Sequence, residues 1–404
     1  MRIAVHDYAG HAFQFELSRQ LARQGHEVCH FFFAGDAGPK GDARRLETDS
    51  ETFSVQPIET PGEYRKDRFF QRRANDIVYG RIAGARIAAF RPDVVISGNT
   101  PLDAQAPLMA ALRARTRAAF VFWMQDFYSL AITRIIGGKW RGLGAVIAAW
   151  YRRMERRQLA HSDGVVLISE GFRAELGAFG VPDEKVHVIP NWGAIDAIPV
   201  RPRDNDWTRR MGVGRSAVAL YSGTLGLKHD PNLLLALADD LKTRPDAVVI
   251  VASEGAGAQV LRAAQEAQPR QTLRLEPLQP MADFPDMLGA ADIFLAVLEA
   301  DAGRFSVPSK VLSYLCAGRP IVLSAPSENL ASDVLRESGA GILTPPGDER
   351  AFVAAARRLL DDAGLRQTMG EAGRAYAEAH FRIPAVAAAF EKVFEAAIAR
   401  RAAG

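Results

Sequence analysis

Twice along this chain, short and almost wholly apolar runs alternate with longer segments whose apolar residues recur every three or four positions. A polar, proline-containing stretch at 199–210 separates the two series and reads as the linker between them. The first holds RIAV (2–5), EVCHFFF (27–33), DVVIS (93–97), AAFVFWM (118–124), GVVLIS (164–169) and VHVIP (186–190). The second holds AVALYSG (217–223), AVVIVAS (247–253), TLRLEP (272–277), DIFLAV (292–297), PIVLS (320–324) and GAGILT (339–344). Strands buried on both faces have this composition, and helices between them impose a parallel sheet covered on each side. The repetition predicts an α/β chain of two doubly wound domains, 1–200 and 201–380, with a final helix over 381–404 that can cross back to the first domain.

With 404 residues, 48% hydrophobic and 24% charged, the chain has material for two packed cores, which excludes a disordered or fibrous protein. Cys29 and Cys316, one in each half, supply neither a disulfide framework nor metal-ligand spacing and suit a reducing compartment. The start, MRIAVHDYAGHAF, is broken by His6 and Asp7, so a first strand is expected there instead of a signal peptide. The apolar stretch GLGAVIAAW (142–150) is far below the roughly 20 residues that span a bilayer. A cytoplasmic protein follows from these features.

The net charge of +3 is too balanced for a protein that wraps nucleic acid, and no nucleic-acid partner is expected. The basic excess is local. Residues 65–91 carry eight Lys/Arg and two Asp, interleaved with Phe69, Phe70 and Tyr79; residues 134–157 carry seven Lys/Arg and one Glu beside Trp140, Val146 and Trp150. Either a solvated helix face over core residues or an interfacial surface fits this pattern. In the second case the cations meet anionic lipid while apolar side chains sink below the headgroups.

Ligands of open α/β sheets bind at the carboxyl ends of strands. In YSGTLGLKHDP (221–231), Gly223 and Gly226 let the backbone approach a ligand, Lys228 adds a cation, and Asp230-Pro231 starts a helix. In DAGRFSVPSKVLSYLCAGRPIV (301–322), Pro308 again suits a first helical turn, with Ser306, Ser309, Arg304 and Lys310 around it. Backbone donors, hydroxyls and cations at a helix N-terminus make an anion site of the kind a diphosphate needs. VASEGAGAQV (251–260) imitates a dinucleotide fingerprint, but Val260 stands where close packing wants Gly or Ala. Asp204-Asn-Asp206 imitates a metal-binding DxD but falls in the polar stretch between the series, where Asp serves turns and caps. No metal site is expected.

Taken in order, several segments resemble the retaining family-four GT-B glycosyltransferases. They are ELSRQLARQGHEV (16–28) after the Gly10 loop, VLISEGFRAELGAFGVPDEKVHVIPNW (166–192), SGTLGLKHDP (222–231), ADIFLAV (291–297) and PSKVLSYLCAGRPIV (308–322). The likeness covers nearly the whole chain. It is nearest the branch that builds bacterial O-antigen, capsule and exopolysaccharide, including UDP-N-acetyl-L-fucosamine transferases. The resemblance implies two Rossmann-like domains facing a cleft, with a nucleotide diphosphate sugar, expected to be UDP-linked, held by the second. Lys228 looks like the family's phosphate-binding Lys, Thr224 stands where many members carry Arg, and Gly223 opens that loop. The loop of Arg304, Ser306, Val307, Pro308, Ser309 and Lys310 would hold diphosphate and sugar, while Glu254, Gly255, Leu278 and Gln279 would flank base and ribose. Gly10, His11, Asn99 and Gln125 fall on the acceptor side. Asp126 lies near the place of the family's catalytic His, as the group to orient or deprotonate the acceptor.

One departure stands out. The family's paired Glu, eight residues apart, is missing: Ser313 occupies the second position, and the first falls on Phe305 or Asp301 according to the end counted from. With Lys228 and Arg304 stabilising the departing diphosphate, the resemblance implies sugar transfer without a metal cofactor to a lipid-linked saccharide, at the inner face of the cytoplasmic membrane. The same fold serves UDP-N-acetylglucosamine 2-epimerases, which need no acceptor.

Overall fold

A computed structural model describes residues 1–35, 43–61, 69–137, 143–226, 228–300 and 309–403. The chain divides into two compact units, 1–191 with 383–404, and 192–382. The first contains strands β1 (Arg2–Asp7), β2 (Glu27–Phe33), β3 (Phe53–Ile58), β4 (Val94–Gly98), β5 (Ala119–Met124), β6 (Gly164–Leu167) and β7 (Val186–Val188). They form one parallel sheet in the order β3-β2-β1-β4-β5-β6-β7. The second contains β8 (Ala217–Ser222), β9 (Ala247–Ala252), β10 (Leu273–Glu276), β11 (Ile293–Val297), β12 (Ile321–Ser324) and β13 (Gly341–Thr344), parallel in the order β10-β9-β8-β11-β12-β13. All twelve apolar runs are therefore strands of two parallel sheets.

Strand β3 escapes the periodicity because FSVQPI carries Ser54, Gln56 and Pro57. It is an edge strand, partly exposed, where a missing N–H is tolerated. Both sheets reverse their winding at one place, between β1 and β4 and between β8 and β11. Such switch points open a crevice at the carboxyl ends of the flanking strands.

The stretch 199–210 is a strap of the second unit, not a linker, and the division falls at 191/192 instead of 200. Its polar groups are satisfied inside that unit. Arg203 pairs with Asp292 at 3.0 Å, and Asn205 accepts from the Thr208 N–H to cap the helix Asp206–Met211. Upstream, Trp192, Ile195 and Ile198 are buried. Gly193 lies where any side chain would meet Cys316 Sγ and the Leu312 carbonyl at 2.7 Å. The composition of a linker here belongs to a tightly bonded strap.

The last helix, Ile383–Ala403, returns to the first unit and packs on the helix Ala12–Arg23 and on β5. Phe390 meets Trp123 edge-on at 4.8 Å, Val393 and Ala397 cover Gly164, and His26 bonds Glu391 at 2.6 Å.

Candidate active site

At the switch point of the second sheet, β8 ends on Ser222, which Tyr314 clamps. The Ser222 N–H donates to Tyr314 Oη at 2.8 Å, and that hydroxyl lies 3.2 Å from the Ser222 carbonyl. Gly223 then turns with φ 114°, a region that favours glycine. The loops after β8 and β9 are stitched together: the Leu225 N–H donates to the Glu254 carbonyl, the Gly257 N–H to the Leu225 carbonyl, and Ser253 Oγ to the Gly223 carbonyl. Gly255, φ 102°, brings its backbone so near Leu225 that a Cβ would lie 2.9 Å from that carbonyl. Glu254 and Thr224 stand exposed on these loops.

Lys310, in the first turn of the helix Ser309–Ala317, joins this loop to the element after β11. Its ammonium donates to Tyr221 Oη at 2.9 Å and lies 3.2 Å from His229 Nε2, above the Tyr221 ring. Tyr221 Oη in turn donates a hydrogen bond to the Thr224 carbonyl at 3.0 Å. Burial lowers the Lys310 ammonium to about 8. Burial, then the Lys310 charge, lowers His229 to about 4. His229 is thus neutral; its Nδ1 accepts the Gly226 N–H at 3.1 Å and lies 3.3 Å from the Gly226 carbonyl, with Nε2 turned to Lys310. A cation, a glycine turn and a helix N-terminus thus lie side by side, which brings Lys310 of the second segment expected to bind an anion against Gly223 of the first.

Lys228 is exposed on the same turn, its carbonyl accepting from the Glu299 N–H. Ser313, one turn beyond Ser309, lies 3.5 Å from the Ser309 carbonyl. Gln279 follows β10 and is held by Trp207 Nε1 at 3.2 Å, with Leu278 exposed beside it. Arg304, Ser306, Val307 and Pro308, with Asp301 and Phe305, lie outside the described residues. Asp204 and Asp206 both pair with Arg209. Tyr221 and His229 went unassigned in the sequence, although both lie within the YSGTLGLKHDP stretch.

In the first unit, Gly10, His11, Asn99, Gln125 and Asp126 sit at the carboxyl ends of β1, β4 and β5, three neighbours in the sheet. His11 precedes the helix Ala12–Arg23 and faces Asp7, whose carboxylate is wholly buried. Gln125 and Asn191 exchange amide hydrogen bonds at 3.2 and 2.7 Å. Asp126 accepts from the Phe127 N–H at 2.8 Å.

Of the basic segments, Tyr79 belongs to the core: it is buried and bonds His6 Nε2 at 2.8 Å, so it cannot serve a surface. The helix Leu143–Ala160 does present Val146 (65% exposed) and Trp150 (40%), with Arg152, Arg153, Arg156 and Arg157 exposed. Its one acid, Glu155, is turned inward to the Tyr128 and Ser129 N–H groups. No helix among the described residues is long and apolar enough to cross a membrane.

Two family models match the chain in succession: a glycosyl transferase 4-like domain over residues 11–192 and glycosyl transferases group 1 over 209–376. WcaI of Escherichia coli K12, named as a colanic acid biosynthesis glycosyl transferase, is 28% identical over 67% of this chain and 67% of its own. Among solved structures, sucrose-phosphate synthase of Thermosynechococcus elongatus superposes with a TM-score of 0.71 at 14% identity, covering 98% of each chain. HepE of Anabaena, in complex with UDP and glucose, gives 0.68 at 15% identity, covering 98% of this chain and 99% of its own. With both models matched in order on two parallel-sheet units, the chain belongs to the family-four GT-B glycosyltransferases.

Proposed function

We propose that this glycosyltransferase moves a sugar from a UDP-sugar to a lipid-linked saccharide in the synthesis of a cell-surface polysaccharide, with retention of the anomeric configuration. The observation that carries the donor side is the Lys310 ammonium, fixed between Tyr221 and His229 at the N-terminus of the helix Ser309–Ala317 and against the Gly223 turn. Charge develops on the leaving diphosphate, so preset cations and backbone donors there supply much of the rate. Lys228, exposed on the same turn, adds to that field, Arg304 is assigned to it by sequence alone, and no metal is required of it. The colanic acid assignment of WcaI and the UDP bound to HepE support the choice of pathway and nucleotide.

The test is a thermal-shift screen of UDP, GDP and their sugars, followed by assay of the hits with and without lipid-diphosphate-linked N-acetylglucosamine. A native-state ligand must raise the melting temperature, by about 2.7 kcal/mol of stability at one hundred times its Kd. UDP is expected to stabilise and GDP to do so less, with turnover unaffected by EDTA. Conversion of a UDP-sugar without any acceptor would instead assign an epimerase, and no shift with any nucleotide would remove the donor site altogether.

Cytoplasmic residence at the inner membrane face belongs to the same proposal and rests on the exposed face of Leu143–Ala160. Replacing Arg152, Arg153, Arg156 and Arg157 together by Gln should abolish sedimentation with anionic liposomes, at up to about 1 kcal/mol per cation. Undiminished sedimentation would separate this enzyme from the membrane.

A further inference from the structure

Within the first unit, the helices Leu102–Arg115 and Leu143–Ala160 pack together but leave an open furrow of about 460 Å³ between them. That volume falls in the range of small-molecule sites, about 300–1,000 Å³. Ala106 and Ala110, one turn apart, are too short to fill the seam, so it stays open over Met109 and Met154. Trp150 forms a wall. Its ring is partly exposed yet fixed, with the Arg73 guanidinium 4.7 Å over it and Tyr151 edge-on at 4.7 Å. One turn earlier, the exposed Val146 carries the apolar strip on from the furrow.

Arg113, Arg153 and Arg157 make the rim, and no acid lines the furrow. The nearby carboxylates are engaged elsewhere. Glu155 accepts the Tyr128 and Ser129 N–H groups, Asp103 takes Arg73 and the Tyr151 hydroxyl, and Asp163 accepts the Phe120 N–H at 2.8 Å. Burial, then the charge of Arg401, lowers the Arg113 guanidinium, with Asp163 acting the other way, so positive charge is in excess at this end. The polar groups of the floor are closed as well: the Gln158 amide donates to the Leu102 carbonyl at 2.8 Å and accepts from Gln105 at 3.1 Å. An apolar floor under a cationic rim is complementary to an amphiphile with an anionic head. An extended peptide laid there would leave its backbone N–H and C=O groups unpaired, whereas an acyl chain has none to satisfy.

Resting on the membrane residence proposed above, we infer that this furrow binds one acidic phospholipid, its phosphate on the arginine rim and one acyl chain over Met109 and Met154. The guanidinium groups hold the head by charge-assisted hydrogen bonds, and the chain exchanges the bilayer for a groove of similar polarity. The strip from Trp150 to Val146 continues the furrow with a residue type that settles at the membrane–water interface. The helix Leu143–Ala160 thereby gains a hold on a single lipid molecule, beyond the diffuse attraction of its arginines for a charged surface.

The test is calorimetric titration of the full chain with a monoacyl phosphatidylglycerol kept below its micelle concentration, so that no bilayer is present. One lipid should bind per chain, with the monoacyl phosphatidylcholine of the same chain length weaker by about tenfold or more and glycerol 3-phosphate, which lacks the chain, not binding. Ala110→Phe fills the furrow from an exposed position without touching a charge. It should weaken binding by about tenfold, in a protein that melts as the wild type does and still sediments with anionic liposomes. Arg113→Gln, which leaves every arginine of the other helix in place, should weaken it about fivefold, the weight of one cation at an anionic surface. Equal affinity for the two monoacyl lipids, binding of glycerol 3-phosphate alone, or affinity unchanged in Ala110→Phe overturns the lipid site. An acidic amphipathic peptide that binds there more tightly than the lipid assigns the furrow to a protein partner instead. Uptake of the monoacyl lipid by a wild type that does not sediment with anionic liposomes overturns the membrane residence and leaves the furrow standing; sedimentation without uptake does the reverse.

Discussion

Lys310→Met lowers kcat/KM for the nucleotide sugar by about 100- to 1,000-fold, the effect of removing one preset donor from a developing anion, while the ligand-free protein melts no lower than wild type. Methionine keeps the length of the stem and removes only the charge. Without a ligand that ammonium is a partly desolvated cation whose partners are neutral, Tyr221 and His229. Replacing such a charge by an apolar group of similar shape is often neutral or stabilising. A residue needed only for structure would move both quantities the same way, so opposite responses identify Lys310 as a ligand-binding cation.

Acidity makes the same distinction within the wild type. Burial places the Lys310 ammonium near 8, below the 10.5 of an exposed lysine. Between these values the unfolded chain holds a proton that the folded chain has released, so this group's contribution to ligand-free stability rises as pH increases from about 8 to 10.5. Diphosphate binding needs the proton and weakens over the same interval. The UDP-induced shift in melting temperature should therefore shrink above pH 8, and a shift that persists unchanged to pH 10 would place the phosphate elsewhere.

The second large effect is on stability. Phe390→Ala should cost about 3–5 kcal/mol, the range for removing a buried aromatic ring. Phe390 is fully buried, fits against Trp123 at 4.8 Å, and lies on the helix that closes the first unit. The expected result is an earlier denaturant midpoint for the first unit, with UDP affinity in the second unit retained. Loss below 1 kcal/mol would mean that the helix adds little to the packing it covers.

Much of the fold was legible because parallel strands buried on both faces leave an unmistakable apolar run; β3 was missed since an edge strand needs none. The strap at 199–210 was misread for a different reason. Pro, Asp and Arg mark a linker by composition, and only the three-dimensional partners of Arg203 and Asn205 make it part of a domain. At the candidate donor site, glycines and cations at strand ends were visible as separate signals. Their union was not, because the contacts of Lys310 with Tyr221 and His229 bridge 89 and 81 positions.

The first unit takes its last element from residues 383–403, after the whole of the second has been threaded between. During synthesis, domains made first normally fold first. Here the order is inverted: residues 192–382 are contiguous and can fold as they emerge, while the surface around Trp123 waits for Phe390. On the ribosome the first unit is therefore the last to mature, and the nascent chain carries an uncovered apolar face past nearly two hundred intervening residues before it is sealed.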